Sequence, residues 1–281
     1  MTSTRLNPML ACLLNSRSTD QLPLPSRMLA FGDGLFETCL VTDRGLRFAD
    51  DHLHRLEEGI GRLHLAWSDL DRQRLFDDID ALIKPVRAPA VLKIILGRQA
   101  AGRGYDYDPE TQQTDRLLQL FEYQPAPWYK TGARLVTSTI PASVNPALAG
   151  VKHLNRLDSV LARQNARKHQ AEEALLCDDQ GWVVEGSMSN LFYRRHGRWF
   201  TPALARAGVN GIIRRRWLRS GNGALQVADI KPDDLSHCEA LLIGNALMGV
   251  VRVTHLNNVP LALAGEDDLA SIHTRIGLNL D

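Results

Sequence analysis

The feature that most constrains this chain is a change of hydrophobic period along its first 123 residues. Residues 35–42 form an apolar, β-rich run closed by the turn Asp43-Arg44-Gly45. Across 49–67 the residues Leu53, Leu56, Ile60 and Leu63 recur at spacings of 3, 4 and 3, which is the helical period. A second helical pattern carries Leu75, Phe76, Ile79, Leu82 and Ile83. It stops at Lys84-Pro85, because the residue before a proline avoids helical backbone. Strand patterns return at 91–96 and 116–123, on either side of a polar loop, 97–113, that contains Gly102-Arg103-Gly104-Tyr105. Alternation of this kind requires a sheet packed by helices and excludes an all-helical or all-strand fold.

The second half repeats the mixture. Residues 124–132, with Pro125, Pro127 and Gly132, read as a linker between an N-terminal lobe, 1–123, and a C-terminal lobe, 133–281. Strands are predicted at 134–140, 173–177, 182–185, 190–193 and 198–201, with another apolar strand ending near Gly244. A helix is predicted over 156–169 with Leu157, Val160 and Leu161 on one face, and a further helix from near Gly211 to about Arg219. The sum is two α+β lobes.

Several function classes are disfavoured. Lys and Arg number 33 against 32 Asp and Glu, which gives no electrostatic reason to expect nucleic acid as a partner. No apolar run approaches the ~18–20 residues that span a bilayer, and the most apolar stretch, 240–251, is broken by Gly244, Asn245 and Gly249. Arg5, Asn7, Asn15 and Arg17 interrupt the short apolar run at the N-terminus, unlike a secretory signal. Cys12, Cys39, Cys177 and Cys238 are too scattered for a disulfide framework or a zinc signature. His52 and His54 do not share a helix face, and neither an HExxH nor a GxSxG motif occurs. Gly32-Asp33-Gly34 lacks the Gly-Lys-Ser/Thr of a P-loop. The expectation is a cytoplasmic protein acting on a small molecule, with no metal, nucleic-acid or membrane partner.

Chemistry-bearing candidates remain. Lys152, after a Pro/Ala/Gly loop and before a helix, reads either as a surface cation or as a desolvated amine able to join an aldehyde cofactor. Glu185, at a strand end before Gly186-Ser187-Met188-Ser189-Asn190, is either a turn acid or the partner of a protonated pyridine nitrogen. Gly208-Val-Asn-Gly-Ile-Ile-Arg214 opens a helix whose first N–H groups suit a phosphate, or is a plain capped helix start. The turn at Asn245-Ala246 offers similar backbone donors, and Arg55 is either a solvated helix arginine or a clamp on a phosphate.

These segments stand in a specific order. Phe31-Gly-Asp-Gly-Leu-Phe-Glu-Thr38, His52-Leu-His-Arg-Leu56, Val151-Lys-His-Leu-Asn-Arg-Leu157, Glu185-Gly-Ser-Met-Ser-Asn-Leu-Phe192 and Gly208-Val-Asn-Gly-Ile-Ile-Arg214 follow one another. In that order the chain resembles the class IV aminotransferase family, from about residue 13 to beyond 250. The resemblance implies an α+β, two-lobed class IV aminotransferase-like fold. It would have a smaller N-terminal α/β lobe, a larger C-terminal lobe with a barrel-like sheet, and a homodimeric assembly.

It also implies pyridoxal 5'-phosphate (PLP) as cofactor. Lys152 would hold its aldehyde and Glu185 its pyridinium nitrogen. Arg55, the backbone N–H groups of Ile212 and Ile213, and the turn at Asn245-Ala246 would hold its phosphate. Thr38 matches a position near the reacting centre, and Arg103 a substrate-carboxylate arginine of D-amino acid relatives. Within the family, Lys-His-Leu-Asn-Arg-Leu, Gly-Arg-Gly-Tyr and Ala-Gly-Val-Asn-Gly-Ile look most like the lyase branch. That branch converts 4-amino-4-deoxychorismate to 4-aminobenzoate and pyruvate for folate biosynthesis. The alternative implied is a branched-chain or D-amino acid transaminase. Two positions depart from the pattern: Phe36 replaces the tyrosine of D-amino acid transaminases, and Pro25-Ser26-Arg27-Met28 replaces an acidic-Arg-Gly turn.

Overall fold

In the computed structural model, which describes residues 8–100 and 103–278, the chain divides into two units. The first is the chain up to Gln124 together with Val151–Asn155. The second is Pro125–Gly150 and the chain from Arg156 onward.

The first unit is an antiparallel sheet of β1 (Met9–Leu14), β2 (Arg17–Ser18), β3 (Gly34–Thr42), β4 (Gly45–Leu46), β5 (Ala90–Arg98) and β6 (Thr114–Glu122). The strand order is β2-β1-β6-β5-β3-β4. Its helices are α1 (Arg27–Phe31), α2 (Ala49–Leu63) and α3 (Asp69–Ile83). Side chains alternate across a strand, so Leu35, Cys39 and Val41 of β3 share one face with Leu92, Ile94 and Leu96 of β5 and Leu118 and Leu120 of β6. Leu56 and Ile60 of α2 and Leu75, Ile79 and Leu82 of α3 pack on that face. Burial of each such side chain is worth roughly 1.5–3 kcal/mol. Helix α3 starts at a capping box between Ser68 and Asp71 and ends just before Pro85.

The second unit contains α4 (Trp128–Thr131), β7 (Ala133–Thr137), α5 (Leu157–Lys168), β8 (Glu173–Cys177), β9 (Val183–Gly186), β10 (Asn190–Arg195) and β11 (Arg198–Thr201). It continues with α6 (Ile212–Arg219), β12 (Gln226–Val227), β13 (Ala240–Asn245), β14 (Gly249–Leu256), β15 (Val259–Pro260) and α7 (Glu266–Ile276). Its sheet runs β12-β11-β10-β13-β14-β7-β8-β9. Strands β9 and β10 lie far apart in that order yet are joined by residues 187–189, where the Gly186 N–H donates to the Ser189 carbonyl at 2.7 Å. The path therefore curls back on itself, giving the barrel-like sheet that the family resemblance implies. Its inner face buries Leu135, Leu175, Leu191, Tyr193, Leu241, Ile243, Val251 and Val253.

Two sequence expectations change form here. Residues 124–132, expected as a linker, carry α4, whose Trp128 and Tyr129 pack against the second unit's core. Helix α5 forms where predicted and crosses over between the parallel strands β7 and β8, but it packs through Ala162 and Ala166, against Val136, Ala174 and Leu176. Small side chains let the helix lie close to the sheet. Leu157, Val160 and Leu161 are left 76%, 51% and 43% exposed. Among the described residues no helix is long and apolar enough to cross a membrane, and no group of three or more His, Cys, Asp or Glu could hold a metal ion.

Candidate functional site

Lys152 belongs to the first unit, in a segment that runs beside β3. Its carbonyl accepts from the Phe36 N–H at 3.0 Å, and the Leu154 N–H donates to the Gly34 carbonyl at 3.0 Å. The half-buried Lys152 side chain places Nζ 4.1 Å from the centroid of the Phe36 ring. Phe36 and Thr38 point away from the helix-covered face, and Thr38 is the cross-strand partner of Lys93 on β5. The Lys93 ammonium lies 5.5 Å from the same Phe36 ring, and burial lowers its pKa below the ordinary lysine value. Two amines therefore meet one aromatic ring on a sheet face, with a threonine hydroxyl one pleat away.

Arg55 lies on the other side of β3. There Glu37, next in sequence to both Phe36 and Thr38, points into the helix-covered core. Arg55 donates to it through Nε (2.8 Å) and Nη2 (2.5 Å), and His52 Nδ1 donates at 2.6 Å. Burial alone would raise the Glu37 pKa, but the Arg55 charge and the hydrogen bonds from His52 and Arg55 outweigh it and bring it down to about 2. The guanidinium is thus fixed by a fork onto a carboxylate. Arg103 is exposed on the 99–113 loop, and no hydrogen bond or ion pair joins it to Lys152 or Thr38.

In the second unit Glu185 sits on β9 at 7% exposure. Its Oε2 accepts from the Val209 N–H at 2.9 Å and from Asn190 Nδ2 at 3.3 Å. The same Asn190 amide donates to the Val209 carbonyl at 2.9 Å and accepts from the Gly211 N–H at 3.1 Å. One asparagine therefore locks the carboxylate to the start of α6. A Cβ at Gly211 would lie 2.1 Å from Asn190 Oδ1, so glycine is required by this close approach. Gly211 also offers no side-chain cap to the helix it precedes. Ile212 and Ile213 are buried in the first turn, where N–H groups lack intrahelical partners and the helix dipole is positive.

The end of β13 reaches the same place. A Cβ at Gly244 would lie 3.3 Å from Ile213 Cγ2. Asn245 Oδ1 accepts the N–H groups of Leu247 and Met248, each at 2.9 Å, and its Nδ2 donates to the Met188 carbonyl at 3.0 Å. The turn at Asn245-Ala246 is thus held beside the first turn of α6. Burial lowers the pKa of Arg156, and that of Arg214 to about 10, while the Glu185 charge opposes both shifts.

Residues 34–256 match the family Amino-transferase class IV. The chain belongs to the class IV aminotransferases. Among the relatives of this class IV chain is the aminodeoxychorismate lyase of Vibrio harveyi, 29% identical over 87% of this chain and 90% of that protein. The 4-amino-4-deoxychorismate lyase of Pseudomonas aeruginosa superposes with a TM-score of 0.85 at 31% identity, covering 96% of this chain and 99% of that one. The branched-chain amino acid aminotransferase of Escherichia coli superposes at 0.82 with 17% identity, over 95% of this chain and 94% of that one, and so shares the fold.

Three side chains of this class IV chain, the buried Glu37 and Glu173 and the partly buried Lys93, were not singled out from sequence. Glu37 and Lys93 are lone charges inside apolar strand runs, and that placement is the signal that could have found them. Glu173, fully buried on β8, accepts the N–H of Ser187 at 3.0 Å and of Met188 at 3.2 Å, and the hydroxyls of both Ser187 and Ser189. It shapes the loop between Glu185 and Asn190, and nothing in its sequence neighbourhood points to that loop.

Proposed function

We propose that this chain is a PLP-dependent lyase that converts 4-amino-4-deoxychorismate to 4-aminobenzoate and pyruvate. The observation that carries the reading is its end-to-end likeness to the Pseudomonas aeruginosa lyase. The residues fit the cofactor by chemistry. An uncapped, buried helix start suits a phosphate, a buried carboxylate fixed by an asparagine suits a pyridinium, and a half-buried amine suits an aldehyde. In this reading Lys152 holds the aldehyde and Glu185 the ring nitrogen. Arg55, the Ile212 and Ile213 N–H groups and the Asn245-Ala246 turn take the phosphate.

PLP, when bound, supplies an electron sink for negative charge developing on the substrate ring. Lys152, as a neutral amine, would take the proton from the substrate's C4. The bond between the adjacent ring carbon and the enolpyruvyl oxygen then breaks, the ring becomes aromatic, and Lys152 returns its proton to the departing enolpyruvate to give pyruvate. Thr38 lies one pleat from Phe36 and is offered as a hydrogen-bond donor to the reacting substrate. Lys93 and Arg103 are offered as cations for its carboxylates. Phe36 has no hydroxyl to hold an amino acid carboxylate, which favours the lyase over a D-amino acid transaminase.

A homodimer in the cytoplasm completes the proposal. The exposed stripe of Leu157, Val160 and Leu161 supports a second copy as its cover, and four unpaired cysteines suit a reducing compartment. The test is coupled pyruvate release from enzymatically made 4-amino-4-deoxychorismate, with and without added PLP. PLP-dependent release that is lost in Lys152→Ala supports the reading. Release retained in that variant, or conversion of amino acids to 2-oxo acids in place of release, overturns it.

A further inference from the structure

Residues 103–113 belong to the long connection between β5 and β6, and connections of this length are uncommon and usually functional. Its middle is inverted relative to an ordinary surface loop. Arg103 and Asp106 are exposed and Tyr105 is 83% exposed, while three successive backbone carbonyls turn inward onto one buried guanidinium. Arg27 Nη1 donates to the carbonyls of Gly104 at 2.9 Å and Asp106 at 3.3 Å, and Nη2 to that of Tyr105 at 2.8 Å. Its remaining edge is fixed as well, because Nε donates to Asp33 at 2.8 Å. Only a planar fork with five donors can serve three carbonyls and a carboxylate at once.

Asp33 extends the clamp, since the same Oδ2 accepts from Arg98 Nε at 3.0 Å. Arg98, also buried, donates to the carbonyls of Leu63 (2.7 Å), the last residue of α2, and of His64 (3.1 Å), which caps it, and its guanidinium lies 3.7 Å from the Tyr107 ring centroid. Phe31 packs on Tyr105 at 5.0 Å between centroids, with the Arg27 guanidinium 5.1 Å from its ring. A loop held by its carbonyls and by flanking aromatics displays its side chains in a fixed direction without burying them.

We infer that Arg27 is a positioning residue for substrate capture: by fixing the backbone of 104–106 it sets where Arg103 is presented. The inference rests on the carboxylate-binding role proposed above for Arg103.

The experiment uses the full chain loaded with PLP, read by pyruvate release and by trypsin cleavage after Arg103. Arg27→Lys keeps a charge beside Asp33 but loses the fork. It raises KM about tenfold with kcat held within about twofold, as expected for loss of a charged hydrogen-bond cluster acting on binding alone. In an Arg103→Ala background the same change alters kcat/KM by less than about twofold, because coupled residues are not additive. Trypsin cleaves Arg27→Lys several-fold faster than the parent. Gly104, at φ +97° with open space around it, provides a second variant in an exposed loop. Gly104→Ala strains the backbone there and reproduces the KM effect, and it decides the matter if Arg27→Lys does not fold. Equal losses in both backgrounds, or unchanged KM and unchanged cleavage in a chain that releases pyruvate, overturn the inference. A parent chain that releases no pyruvate overturns the lyase reading instead, while the cleavage rates still report on the clamp.

Discussion

Glu37 Oε1 accepts a hydrogen bond from Arg55 Nε at 2.8 Å on the face of β3 that otherwise carries Leu35, Cys39 and Val41. A strand residue on that face has no water to turn to, so the acid persists only because α2 delivers Arg55 and His52 directly onto it. The pair is a way of holding an arginine still. It spans sheet and helix, and a change at Glu37 acts on Arg55 through the hydrogen bonds it removes.

The acid limb of stability follows. Glu37 titrates at about 2 in the folded chain against an ordinary value of 4.5. A carboxyl depressed in this way stabilises the fold above the unfolded value, and the contribution is lost as pH falls from about 4.5 to about 2. Glu37→Gln should lower stability at neutral pH by about 3–5 kcal/mol, because it leaves Arg55 buried without its carboxylate. Its urea midpoint should also fall less steeply than the parent's across that acid window. An identical acid dependence in parent and variant would assign the acid limb to other groups.

Lys93 predicts a second pH effect. Burial lowers its pKa, so its positive charge disappears at a lower pH than that of a solvated lysine. If it binds a substrate carboxylate, KM for 4-amino-4-deoxychorismate should rise on the alkaline side while kcat changes little. Lys93→Met should raise KM about tenfold or more, the scale of one charge-assisted hydrogen bond, and remove that alkaline rise. Steady-state pyruvate release between neutral and alkaline pH checks both.

Much of this fold could be read from hydrophobic period, because a half-buried strand or an amphipathic helix repeats its signal along its length. Strands β3, β5 and β6 and helices α2 and α3 all show it, and the observed bounds shift by only a few residues. Helix α5 misleads for a physical reason. Its larger apolar residues lie on the exposed face, while the packing face is made of Ala162 and Ala166, which a hydrophobicity count undervalues. The cofactor candidates were unspecific one by one, and it was the order of five short motifs along the chain that singled them out. Glu37, Lys93 and Glu173 did not stand out, since each acts through partners distant in sequence, such as Arg55 for Glu37 and Ser187 for Glu173.

The exposed stripe on α5 makes assembly testable. Leu157 and Val160, three residues apart on one helix face, are 76% and 51% exposed. Leu157→Asp combined with Val160→Asp should shift the chain toward a monomer in analytical ultracentrifugation while the circular dichroism stays that of the parent. A monomeric parent, or a variant that remains dimeric, would place the contact elsewhere or remove it.

Phosphate recognition gives the last prediction. If the start of α6 takes the phosphate, the effect of disturbing it must depend on the phosphate itself. Gly211→Ala forces Asn190 Oδ1 away from a Cβ that would sit 2.1 Å from it, which tilts the Ile212 and Ile213 N–H groups and loosens the lock on Glu185. PLP affinity should fall about tenfold to a hundredfold, the range expected for losing one hydrogen bond to a charged group. Asn190→Ala, which removes the lock, should fall in the same range. Pyridoxal, which has no phosphate, separates the two contributions. Loss of PLP affinity in Gly211→Ala with pyridoxal binding intact assigns the effect to the helix start. Equal losses for both compounds would instead assign it to Glu185 and the ring nitrogen. Competition with inorganic phosphate, measured by the cofactor's visible absorbance, should weaken in step with PLP.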